Sequence, residues 1–142
     1  MKNFMRVLAI VLLYLVGTSA VIGSWGLISD PSGKAVGLPV SLLQDTPFRN
    51  FLYPGLLLLL FNGLGCLIVG SLAILKVNYY PILMVAQGFI LTGWIIIQVA
   101  LIDVIYWLHF LYGGIGILLI MAGILLYEVQ HHEKIPGKHQ FA

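Results

Sequence analysis

Residues 51–75 read FLYPGLLLLLFNGLGCLIVGSLAIL and contain no Asp, Glu, Lys or Arg. As an α-helix rising 1.5 Å per residue, this run extends for about 37 Å, more than the ~30 Å hydrocarbon thickness of a bilayer. Lipid offers a backbone amide no hydrogen-bond partner, so the run is predicted to be a transmembrane helix. Three further apolar runs of similar length occupy residues 4–26, 80–102 and 104–127. The composition, 61% hydrophobic and 8% charged over 142 residues, agrees. A soluble domain carries about a quarter charged residues and could not hide this much Leu, Ile and Val from water. The expected fold class is all-α, an integral membrane up-down-up-down four-helix bundle in one domain over residues 1–142.

The links between the runs are short except for the first. Residues 76–79 and the turn at Asp103 are tight, which makes neighbouring helices adjacent and antiparallel. Residues 27–50 form the one sizeable loop, and residues 128–142 form a tail. The first run has a basic start (Lys2, Arg6) and small residues Thr18-Ser19-Ala20, as a signal peptide has. The apolar run continues through Val21, Ile22 and Trp25, so it is read as an uncleaved span. Lys2, Arg6, Lys76, Lys134 and Lys138 fall on one side of the bundle, and Lys34 and Arg49 on the other. The positive-inside rule then puts both termini in the cytoplasm and the 27–50 loop outside.

Within that loop, Asp30-Pro31-Ser32-Gly33 has the residues that a type I turn prefers. Pro39 to Asp45 is predicted to form an amphipathic turn or two, with Leu42 and Leu43 against the outer membrane surface. Thr46-Pro47 reads as an N-cap followed by Pro at the first helical position. Pro54 would then remove the hydrogen bond to the Asn50 carbonyl two turns in, giving a kink or a short interfacial helix before the second span.

Polar groups are costly in lipid, so their placement carries the functional information. On the fourth run, Tyr106, His109, Gly113, Gly116, Ile120, Gly123 and Tyr127 share one helix face. Gln87, Leu91, Trp94 and Gln98 do so on the third, Leu59, Asn62, Cys66, Val69 and Ala73 on the second, and Tyr14, Thr18 and Trp25 on the first. One reading is interhelical packing, which in membranes uses small and weakly polar residues. Under it Asn62, Gln87 and Gln98 only bond neighbouring helices. The other reading is a pocket open to the outer leaflet beneath the first connection, with His109, Gln98, Trp94, Tyr106 and Trp25 as candidate ligand-binding residues. His109 is expected about 8 Å below the outer end of its span. Aromatics at that depth also suit the interfacial belt.

Other chemistry finds little support. No nucleophile elbow, phosphate loop or paired carboxylate site occurs, so no catalytic residue is assigned and catalysis is disfavoured without being excluded. No cofactor is expected: His109 is the one intramembrane histidine, too few for a haem held by two facing histidines. No metal site is expected either. Glu128, His131, His132, Glu133 and His139 form a tail cluster, and Cys66 is the sole cysteine. Asp103 reads as a solvated turn residue within reach of His109 through water. Net charge is +2 with no basic run interleaved with aromatics, so nucleic acid is not a partner. The expected partners are the lipid bilayer, other membrane subunits or a second copy of the chain, and a lipid-like ligand.

The loop sequence Asp30-Pro31-Ser32-Gly33, Gly37-Leu38-Pro39 and Pro47-Phe48, then Pro54-Gly55 and a Gly-rich second run, resembles uncharacterised small bacterial four-span membrane proteins, similar in size and layout to DoxX-like proteins. The resemblance implies a four-helix bundle in a bacterial inner membrane and a loose link with quinone or thiol redox systems. No catalytic motif is shared, and the lone intramembrane Cys66 departs from thiol redox chemistry. Two functions follow as expectations: a non-catalytic accessory or scaffold subunit of a membrane complex, or a binder of, or enzyme for, a lipid-like or quinone-like molecule at the outer-leaflet pocket.

Overall fold

The computed structural model describes residues 1–102 and 104–135. The described residues form helices and the turns that join them, without strands, and four long apolar helices account for most of them. These are α1 (Lys2–Ser29), α2 (Leu52–Ile74), α3 (Tyr80–Ile102) and α4 (Trp107–Glu133), each long and apolar enough to cross a membrane. Two 3-10 turns, Lys34–Val36 and Val40–Leu43, lie in the connection between α1 and α2.

Contacts close the four helices into a ring: α1 packs on α2 and α4, and α3 packs on α4 and α2. The α1–α2 and α3–α4 seams are the most extensive, and small residues bring the second pair close. A Cβ on Gly88 would come 2.7 Å from the Gly116 carbonyl oxygen, and one on Gly123 would come 2.8 Å from that of Pro81. Close backbone approach is how helices associate where no hydrophobic effect acts between them. The paired residues run in opposite order along the two helices. Lys2 Nζ meets Glu133 Oε2 at 2.5 Å across the far ends of α1 and α4. The main core holds Leu13, Val16, Cys66, Met84, Leu91, Leu119 and Leu126. The outward faces are apolar too, with Val11 and Ile22 on α1, Phe89 and Ile96 on α3, and Phe110 and Ile117 on α4 all exposed.

The second helix departs from α geometry where Pro54 does not. It begins at Leu52, so Pro54 falls in the first turn, where an N–H has no helical acceptor to lose and proline costs no helical hydrogen bond. Thr46 instead closes a loop turn, its hydroxyl donating to the Leu43 carbonyl at 2.9 Å and accepting the Phe48 N–H at 3.2 Å. The Asn50 side chain accepts the Leu52 N–H at 3.0 Å. The irregularity is a π-helical stretch, Leu58–Leu64, between α-helical Leu52–Leu57 and Gly65–Ile74. Its altered register leaves the Phe61 carbonyl to accept the Gln87 side-chain N–H from α3, at 2.9 Å.

The first connection is a small folded unit. Gly33 N–H donates to the Asp30 carbonyl at 3.0 Å, closing the turn, and Phe51 N–H donates to the Pro31 carbonyl at 2.9 Å. Gly33 has φ +78°, and the Phe51 ring lies 2.7 Å from where a Cβ would be, so both backbone and space call for glycine. Leu27, Leu43 and Phe51 are buried together, with Leu38, Phe48 and Leu58 against them. Leu43 thus turns into this loop core instead of lying against a membrane surface. Each such side chain contributes roughly 1.5–3 kcal/mol on leaving water.

The fourth helix starts at Trp107, three residues later than its apolar run, and continues to Glu133, past Tyr127. Val104 and Ile105 are outside it, and Tyr106 is extended with φ −102° and ψ 155°. Hydropathy alone does not distinguish these residues from a helical turn.

Candidate functional site

A cavity of about 230 Å³ lies in the half of the bundle nearest the first connection, and all four helices line it. Val16, Ser19 and Ala20 come from α1, and Leu58 and Asn62 from α2. Leu91, Trp94, Ile95 and Gln98 come from α3; Tyr106, Leu108, His109 and Tyr112 come from the start of α4 and the residue before it. Leu58 also belongs to the loop core, so the first connection is packed directly onto the cavity wall. Among these residues no side chain carries a fixed charge.

His109 is held by its own helix start. Its Nδ1 accepts the Tyr106 backbone N–H at 2.9 Å, while its own backbone N–H donates to the Tyr106 carbonyl at 3.0 Å. An imidazolium has no acceptor, so this cap requires the neutral ring with the proton on Nε2. The Tyr106 ring stands beside it, with centroids 5.8 Å apart and planes tilted by 46°. As the third helical residue, His109 lies shallower than the sequence spacing implied, because α4 begins late.

Tyr112, about one turn further along α4, donates from its hydroxyl to Ser19 Oγ at 2.9 Å, and Ser19 donates to the Val16 carbonyl at 2.9 Å. Asn62 is different. It is 1% exposed, and neither its Nδ2 nor its Oδ1 meets a protein partner among the described residues. Buried polar groups are nearly always paired, so an unpaired carboxamide in a cavity wall is chemically unsatisfied.

Four of the five residues expected at the site, His109, Gln98, Trp94 and Tyr106, come together in this cavity. Trp25 does not. It is 71% exposed, because the inward face of α1 is set by Leu13, Val16, Gly17, Ala20, Ser24 and Leu27, and Trp25 lies about 100° round from Ser24. Thr18 faces outward for the same reason, whereas Tyr14 reaches the Ser71 hydroxyl at 2.7 Å. Gln87, grouped with Trp94 and Gln98 by spacing, is used in helix packing through the Phe61 carbonyl. Sequence reasoning left out Tyr112, which stands beside the His109–Gly113 stripe, and gave Asn62 only a packing role. The signal for Asn62 was its isolation in an apolar run.

The other features have less chemistry. Among the described residues, no three His, Cys, Asp or Glu side chains gather where they could hold a metal ion. Asp103, Lys138 and His139 lie outside the described residues. A second, wholly apolar groove of about 130 Å³ runs between α1 and α4 near Met5, Leu12, Leu118 and Met121. No family model, curated protein or solved structure matches this chain.

Proposed function

We propose that this is a multi-pass membrane protein that binds a lipid-like small molecule in the cavity at its outer end. The bundle then crosses the bilayer in up-down-up-down order with both termini cytoplasmic and the 27–50 connection outside. Apolar outward faces on helices of bilayer-spanning length support the crossing. The Lys and Arg asymmetry supports the orientation. The likeness in size and layout to small bacterial four-span, DoxX-like proteins favours a bacterial inner membrane.

The observation that carries the binding role is the cavity itself, with apolar walls and a few converging polar groups. Small-molecule sites have this composition. An accessory or scaffold subunit is the competing role, resting on polar stripes that look like packing surface and on the lack of a reactive constellation. Those stripes are used within the chain: Gly116 and Gly123 pack on α3, and Cys66, Val69 and Ala73 are buried. That favours binding over scaffolding. Catalysis is not part of the proposal, since the walls hold no nucleophile paired with a base.

The test is organic extraction of protein purified in mild detergent, comparing wild type with His109→Ala. Binding predicts a defined small molecule in the wild-type extract and at least a severalfold loss in the variant, with the unfolding transition retained. Equal extracts from both proteins would remove the basis for the proposal.

A further inference from the structure

Asn62 specifies what the cavity's ligand must present. Its carboxamide supplies a donor and an acceptor at one point of the wall, and neither has a protein partner among the described residues. A carbonyl or ether oxygen would satisfy only Nδ2, and an ammonium only Oδ1. A hydroxyl satisfies both, because it donates one bond and accepts another. Charged heads are disfavoured, since no lining side chain carries a fixed opposite charge.

Size and wall chemistry narrow the class further. A cavity of about 150 Å³ holds benzene, and this one, at about 230 Å³, has room for a substituted single ring. Aromatic side chains, Trp94, Tyr106, His109 and Tyr112, supply much of its wall. Tyr106 and Leu108 are 48% and 43% exposed, so the wall reaches the outward face of the bundle, where an alkyl chain can continue into lipid. Resting on the binding role proposed above, we infer that the ligand is a neutral amphiphile with a hydroxylated aromatic ring, a phenol or hydroquinone, whose hydroxyl pairs with Asn62.

The experiment uses the whole chain in detergent and three probes: para-heptylphenol, its methyl ether and 2-heptyl-1,4-benzoquinone. Binding is read by competition against a tritiated alkylphenol. Wild type is expected to hold the phenol about tenfold tighter than either analogue, the discrimination of one well-made hydrogen bond. Asn62→Leu, which replaces an unsatisfied amide with an apolar side chain, is expected to bring the three probes within about twofold of each other. The comparison of probes on wild type needs no variant, so misfolding cannot obscure it. If the quinone or the ether binds as tightly as the phenol on wild type, hydroxyl recognition by Asn62 is overturned while the binding role survives. If Ala20→Leu, which fills the cavity, leaves binding of all three probes unchanged, they bind elsewhere, and the binding role fails with the inference.

Discussion

The buried, unpaired amide of Asn62 and the capped imidazole of His109 are the two groups on which the site depends. His109→Ala removes the acceptor for the Tyr106 N–H, and loss of a comparable cap costs about 0.5–2 kcal/mol. The expected result is faster hydrogen exchange at Tyr106 with the rest of α4 still protected. In the first connection, the Asp30 carboxylate accepts bonds from the Ser32 hydroxyl at 2.5 Å and the Ala35 N–H at 3.1 Å. The Ser32 hydroxyl is the main reason its pKa lies below the usual 3.8; the Ser32 and Ala35 amides and Lys34 add to that, against partial desolvation. A lowered folded-state pKa means the contribution is complete above the ordinary carboxylate range and is lost as pH falls through the lower, folded value. Ala35 amide protection should therefore persist through mild acid and fall only below that range, and Asp30→Asn should abolish the dependence. The Asp30–Gly33 turn was legible because its residues are chosen locally. The role of Asn62 was not, because whether an amide finds a partner depends on residues from other helices. Trp25 was misplaced because depth along a helix says nothing about which way a side chain faces.

Each helix's length follows from its apolar run, whereas its ends and internal register follow from hydrogen bonds that hydropathy does not encode. The bounds of α3, Tyr80–Ile102, needed only the apolar run. The late start of α4 goes with the His109 cap, and the π-helical Leu58–Leu64 stretch presents the Phe61 carbonyl to Gln87 of another helix. The Pro54 kink was expected by counting from Thr46, and the helix beginning at Leu52 removes its cause. Gly88→Ala should destabilise the α3–α4 seam by about 1–3 kcal/mol, because the added carbon meets backbone that cannot move aside. Gly114→Ala, with open space around it, should be neutral or slightly stabilising, since Ala favours helix. Unfolding curves in detergent compare the two. Gln87→Leu should cost about 1–3 kcal/mol by leaving the Phe61 carbonyl without its partner.

For the whole molecule, four apolar helices were legible because every amide in lipid must be paired within its own helix or barrel. The cavity was only partly legible. Spacing grouped Trp94 with Gln98 and Tyr106 with His109, and short links brought those helices together. The contributions of Ser19, Ala20 and Leu58 required the packed bundle. The proposed crossing predicts opposite labelling by a membrane-impermeant maleimide. In a Cys66→Ala background, a cysteine replacing Lys34 should react from outside intact cells, and one replacing Lys76 should react only after lysis. Labelling of both from the same side would refute the orientation. The central claim is that the bundle holds a small-molecule site, and intact-mass spectrometry of the gently extracted protein addresses it most directly. The account predicts one discrete adduct of constant mass per chain on wild type, lost when Ala20→Leu fills the cavity. A wild-type chain free of any adduct, or an adduct that Ala20→Leu retains unchanged, would contradict it.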